Sequence, residues 1–187
     1  MQAPSPKKGE AERIAGVSEP KPRRIDRLVF GSGRSIGGTV YGTILAMSVI
    51  AAAGGTGSPE PWRLAGFVAS SAIVFWFAHV YASGLDESIR SGRRLDIVSL
   101  ERVARHEAAI PLAAVPAIVA LALGALGVLR ESRAIWLALA LGVATLGVQA
   151  WRYSQIEELG RSKTLVVVGL NVGLGLVLVG LKAAISH

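Results

Sequence analysis

Hydrophobic residues along this chain come in long unbroken runs, separated by short polar or charged intervals. The runs are Ile36–Gly54, Leu64–Gly84, Ala108–Leu129, Ala134–Tyr153 and Thr164–Leu181, and Arg152 is their only Asp, Glu, Lys or Arg. About 20 helical residues rise about 30 Å, the hydrocarbon thickness of a bilayer. The runs are apolar on every side, which excludes an amphipathic helix lying on a surface. Strands of a membrane barrel would alternate apolar with polar over about 10 residues. The most strand-like run, "TLVVVGLNVGLGLVLVGL", has no such alternation. The pattern predicts an all-α protein: a polytopic bundle of five transmembrane helices occupying residues 36–184.

The flanking pattern is different. Residues 1–35 are charged and carry Pro4, Pro6, Pro20 and Pro22. Too little apolar surface is present there to order the chain, so a disordered basic tail is expected. "GSGRSIGGT", Gly31 to Thr39, resembles a phosphate loop in composition only. Thr39 stands where a Walker lysine belongs, and Ile36 stands where the dinucleotide pattern needs glycine. A flexible hinge into the first helix is the expected role. Residues 95–106 set Ile97, Leu100, Val103 and Ala104 at helical spacing opposite Glu101, Arg102 and Arg105, a short amphipathic segment suited to a membrane surface.

Composition agrees with the runs: 51% of the 187 residues are hydrophobic and 18% charged, with a mean hydropathy of +0.48. The net charge of +7 could suggest nucleic acid, but its distribution points to topology instead. The tail carries eight Lys and Arg, the second-to-third connection five and the fourth-to-fifth region three. Only Arg63, Arg130, Arg133 and Lys182 fall on the other side. By the positive-inside rule the N-terminus is cytoplasmic and the C-terminus outside. The same charges attract anionic lipid headgroups, and nucleic acid is not expected as a partner. With no cysteine, disulfides and thiolate metal sites are excluded. Arg23-Arg24 is not followed by the apolar residues of a twin-arginine signal, so the first span should be retained.

Small residues mark expected packing seams: Gly38, Gly42 and Ala46 on the first helix, Ala120 and Gly124 on the third, and Gly169 and Gly173 on the fifth. Four-residue spacing of small side chains lets helix backbones approach, within one chain or between copies in a homo-oligomer. Pro111 and Pro116 should perturb the third helix, because each removes a backbone donor.

Candidate chemistry gathers towards one side. Tyr41, His79, Gln149 and Asn171 all fall in the cytoplasmic half of their spans, with His106 and Glu107 at the mouth of the third. His79 lies five residues before Gly84, about 7 Å deep. An ionisable group inside a membrane is costly and normally faces a bundle interior or a wet cavity. Imidazole ordinarily titrates near neutrality, so a polar cavity lined by these six residues would suit proton-linked solute binding. The alternative is helix glue, with His79 bonded to Tyr41 or Gln149. "HEAAI" has Ile110 where a zinc-protease motif requires its second histidine. His79, His106 and Glu107 would make a metal set only if the fold joined them. No nucleophile elbow and no paired carboxylates occur within a span, so neither an enzyme, a cofactor nor a metal is expected.

"VYGTILAMSVIAA" (Val40 to Ala52) and "FWFAHVYASGL" (Phe75 to Leu85) resemble small, uncharacterised integral membrane proteins of high-GC actinobacteria. The resemblance covers most of the chain after residue 36 and implies a bacterial plasma membrane, without an assigned activity. A looser similarity is to vacuolar-type iron transporters, which also have five spans with a cytoplasmic excursion after the second. Their ion path carries carboxylates and methionines, whereas the spans here hold only Met47 and no carboxylate. The expected function is a small transporter- or channel-like protein. The alternative is a non-catalytic membrane module that binds or positions a partner protein.

Overall fold

The computed structural model describes residues 34–53, 60–92, 94 and 96–185, and these are all helices and their connections. Helix α1 is Arg34–Ala52, α2 Pro61–Ser91, α3 Ile97–His106, α4 Ala109–Ala113, α5 Val115–Ala125, α6 Glu131–Ile156 and α7 Arg161–Ile185. The expected tail lies outside the described residues, except that Arg34 and Ser35 already belong to α1. The hinge expected over Gly31–Thr39 is therefore helix from Arg34 onward.

Every apolar run became helix, but only some reach membrane length. By length and composition α2, α6 and α7 are candidate spans, and the bent α3–α4/α5 segment makes a fourth if it crosses once. The apolar part of α1, Ile36–Ala52, is shorter. Five spans is thus an expectation the helices meet in part.

Two helix ends depart from the apolar runs for physical reasons, and the break expected at the prolines is present. Apolar content ends at Gly84, yet α2 continues to Ser91, where Gly92 caps it at φ 64°. Asp86 and Arg90 pair one turn apart on that extension, the i,i+4 spacing that supports an exposed helix. The third run is broken at Ala114, and its two parts meet at 41°. Pro116, in the first turn of α5, has no N–H to give the Leu112 carbonyl, and its ring crowds that oxygen. Helix α5 ends at Ala125 rather than Leu129, with Gly127 at φ 75° and the Val128 N–H closing back on Leu123 O at 3.0 Å, a glycine-terminated helix end.

The core surrounds α1, which touches α2, α4, α6 and α7. Met47, Ile50 and Ala51 are fully buried there, against Leu64 and Val68 of α2, Leu121 of α5 and Leu139 of α6. Glycine seams set the distances. A Cβ on Gly42 would stand 2.2 Å from the Ile110 carbonyl oxygen, one on Gly124 2.5 Å from Ala134 Cβ, and one on Gly142 2.5 Å from Met47 Sδ. The first two seams expected from sequence therefore work within the chain. Gly169 and Gly173 meet nothing within 4 Å, because α7 packs through its opposite ridge of Thr164, Gly175 and Lys182.

Candidate functional site

The α2–α3 connection is built so that α3 turns back along α2. Asp96 begins α3: its N–H donates to Ser99 Oγ at 3.2 Å, and Ser99 Oγ donates to the Asp96 carbonyl at 2.6 Å. Such local bonds satisfy backbone groups that a helix start leaves open. Further along, Trp76 Nε1 donates to the Ala104 carbonyl at 3.3 Å, fastening α3 to α2. A tryptophan indole in an apolar helix needs an acceptor for its N–H, and that need was the signal for Trp76 that sequence reasoning passed over.

The returning helix delivers Glu107, its C-cap residue, to His79. Nε2 of His79 lies 3.5 Å from Oε2 of Glu107, with the imidazole side chain 44% exposed and the carboxylate side chain 19%. The Tyr41 ring from α1 approaches the same imidazole, centroids 5.8 Å apart and planes tilted by 30°. Three of the six candidates, Tyr41, His79 and Glu107, are therefore brought together from α1, α2 and the α3–α4 junction. Glu107 stands opposite His79 Nε2 in place of the expected Tyr41 or Gln149.

The remaining candidates are engaged elsewhere. Gln149 Oε1 accepts from Arg152 Nη1 at 3.4 Å, one turn along α6. Asn171 Nδ2 donates to the Val167 carbonyl at 3.0 Å within α7. His106 ends α3 and is exposed. The hydroxyls behave alike: Thr43, Ser48, Thr145 and Ser154 all donate to a carbonyl four residues earlier, as such side chains do inside helices.

Two cavities border this region. An apolar groove of about 420 Å³ between α1 and α2 is lined by Tyr41, Ile44, Leu45, Ser48, Val49, Ala52 and Phe75. A polar one of about 200 Å³ sits at the α2–α3 elbow. Neither takes in His79, Glu107, Gln149 or Asn171. Among the described residues, no three His, Cys, Asp or Glu side chains are placed to hold a metal ion. His79 and Glu107 thus stand as a pair. What that pair can do chemically is tie two helices and, when the imidazole is protonated, add an ionic attraction to the tie.

No protein-family model, curated protein or solved structure matches the chain.

Proposed function

We propose that this chain is a non-catalytic membrane module of the bacterial plasma membrane. In this reading it crosses the bilayer five times with its N-terminus inside, and presents the end of α2 and α3 as a cytoplasmic rim for lipid and a partner protein. The crossing is supported by aromatic residues at two levels. Trp62 and Trp136 are exposed in the first two turns of α2 and α6; Tyr81 is exposed near the end of the apolar part of α2, and Trp151 and Tyr153 near the end of α6. Nineteen residues separate Trp62 from Tyr81 and 17 separate Trp136 from Tyr153, about 28 and 25 Å of helix. Aromatic belts at such spacing suit the two interfaces of a bilayer. Exposed Phe67, Ile73, Val74 and Phe77 on α2, and Leu170, Leu174 and Val177 on α7, fill the interval with apolar surface.

This placement also changes the meaning of His79. Two residues before Tyr81, it stands near the inner belt rather than deep in hydrocarbon, and Glu107 is already its partner. A paired, half-exposed histidine at an interface has an ordinary structural role.

The observation that carries the choice of module over carrier is the separation of the polar residues. Gln149 and Asn171 bond along their own helices, leaving His79 and Glu107 without the wider polar lining that a solute path requires. Proton and solute flux into liposomes holding the parent protein or His79→Ala tests this. Background flux from both agrees with a module. Flux above background that is lost in His79→Ala would restore the carrier reading.

A further inference from the structure

The elbow between α2 and α3 holds arginines in two different conditions. Arg90 is bonded to Asp86 and Arg105 to Glu101, each within its own helix. Arg94 and Arg102 have no hydrogen bond or ion pair among the described residues. Both line the cavity of about 200 Å³, together with Glu87, Ser88, Ser91 and Ser99. Two guanidinium groups beside hydroxyls are the donor set that phosphate oxygens accept, and arginine suits phosphate better than lysine because its planar fork bonds two oxygens at once.

The acid in the wall narrows the ligand. Glu87 has no cation within ion-pair distance among the described residues. Asp96 lies in the same lining. Carboxylates repel a ligand with negative charge beyond its phosphate and favour one that also carries an ammonium group.

The rim adds the third constraint. Val98, 60% exposed, is the one apolar side chain lining the cavity, and Ile89 and Ile97, each 80% exposed, lie on the same two helices. A soluble phosphate ester gains nothing from such neighbours, whereas an amphiphile gains apolar contact. Height agrees as well. Glu87 lies three residues beyond Gly84, about 5 Å along the axis, within a headgroup layer that adds about 5–7 Å to each side of the hydrocarbon, while Ser91, at about 10 Å, stands on its aqueous side.

We propose that the α2–α3 elbow binds the phosphate-ammonium headgroup of an inner-leaflet phospholipid, with Arg94 and Arg102 on the phosphate and Glu87 on the ammonium. The site rests on the membrane reading above.

The test uses the full chain reconstituted in vesicles of digalactosyldiacylglycerol, a lipid with neither phosphate nor ammonium, doped with phosphatidylethanolamine or phosphatidylglycerol, followed by extraction and native mass spectrometry of retained lipid. Arg94→Gln/Arg102→Gln should lower phosphatidylethanolamine retention about 30-fold, given the usual strength of an arginine near a lipid surface. Arg90→Gln/Arg105→Gln, which removes equal charge from paired positions, should stay within about threefold. Glu87→Gln should erase the preference for ethanolamine over glycerol headgroups. Equal retention in both double variants overturns the site, and a preference unchanged in Glu87→Gln overturns the ammonium assignment. Displacement of the lipid by soluble phosphoethanolamine at matched occupancy would make the ligand a soluble phosphate ester and overturn the lipid assignment. Flotation of each variant with vesicles is measured alongside. A parent protein that fails to float defeats the membrane reading itself, while floating variants with equal retention defeat only the site. Circular dichroism of each variant separates loss of binding from loss of fold.

Discussion

His79 and Glu107 approach to 3.5 Å across 28 residues of sequence, joining α2 to the junction of α3 and α4. The approach depends on α3 returning along α2, so the pair reports the elbow's geometry as much as its own attraction. Because the imidazole side chain is 44% exposed, solvent screens the interaction, and a double-mutant cycle of His79→Ala and Glu107→Gln should give a coupling of no more than about 1 kcal/mol. Thermal unfolding in detergent measures it. A coupling near zero would mean the two side chains are neighbours without interaction.

Gly42 and Gly173 make opposite predictions from the same residue type. A Cβ at Gly42 would collide with the Ile110 backbone oxygen at 2.2 Å, a group that cannot swing aside as a side chain can. Gly42→Ala should therefore destabilise the bundle by about 1–3 kcal/mol, the usual cost of overpacking. Nothing lies within 4 Å of a Cβ at Gly173, so Gly173→Ala should be neutral or stabilising by up to about 1 kcal/mol through better helix propensity. Thermal unfolding of both variants decides whether the two glycines differ as their surroundings do.

These two glycines also mark how far the sequence could be read. Four-residue spacing identified Gly38, Gly42 and Gly124 as seams, and each meets a neighbouring helix. The spacing is identical at Gly169 and Gly173, where no neighbour stands, because periodicity along a helix does not say which way its face points. The break at Ala114 was legible, since a proline's missing N–H acts locally whatever the surroundings. The end of α2 was not: hydropathy locates where oil stops, while Asp86–Arg90 pairing lets helix continue into water. Among the candidate site residues, position along a helix was readable and the direction a side chain faces was not. Gln149 and Asn171 were expected in the same half of the bundle as His79, yet each bonds along its own helix. Glu107 reached His79 only through the α3 return, which no local pattern specifies.

Topology can be tested cleanly because the chain has no cysteine. Ser91, Ser132 and Ser162 are exposed near helix ends, so single Ser→Cys variants should be labelled by a membrane-impermeant maleimide according to side. The five-crossing reading expects Ser132→Cys to react from outside in intact cells, and Ser91→Cys and Ser162→Cys only after permeabilisation. Labelling of Ser91→Cys from outside would reverse the orientation. Labelling of Ser91→Cys and Ser162→Cys on different sides would remove one crossing between them.

Trp76 offers the most direct probe of the elbow. Its indole N–H is the donor to the Ala104 carbonyl at 3.3 Å, and phenylalanine keeps an apolar ring while removing that donor. Loss of one such bond costs about 1 kcal/mol, which should raise the fraction of chains with α3 lifted from α2 about fivefold. Arg102 and Arg105 both lie on α3, so trypsin reads this opening directly where cleavage is slow compared with reclosing. Trp76→Phe should be cut there about fivefold faster than the parent protein, with cleavage after Arg133, near the start of α6, unchanged as an internal control. Equal rates at Arg102 and Arg105 would mean that α3 is held to α2 by something other than the Trp76 bond. In that case the His79–Glu107 approach could not be assigned to the same fastening.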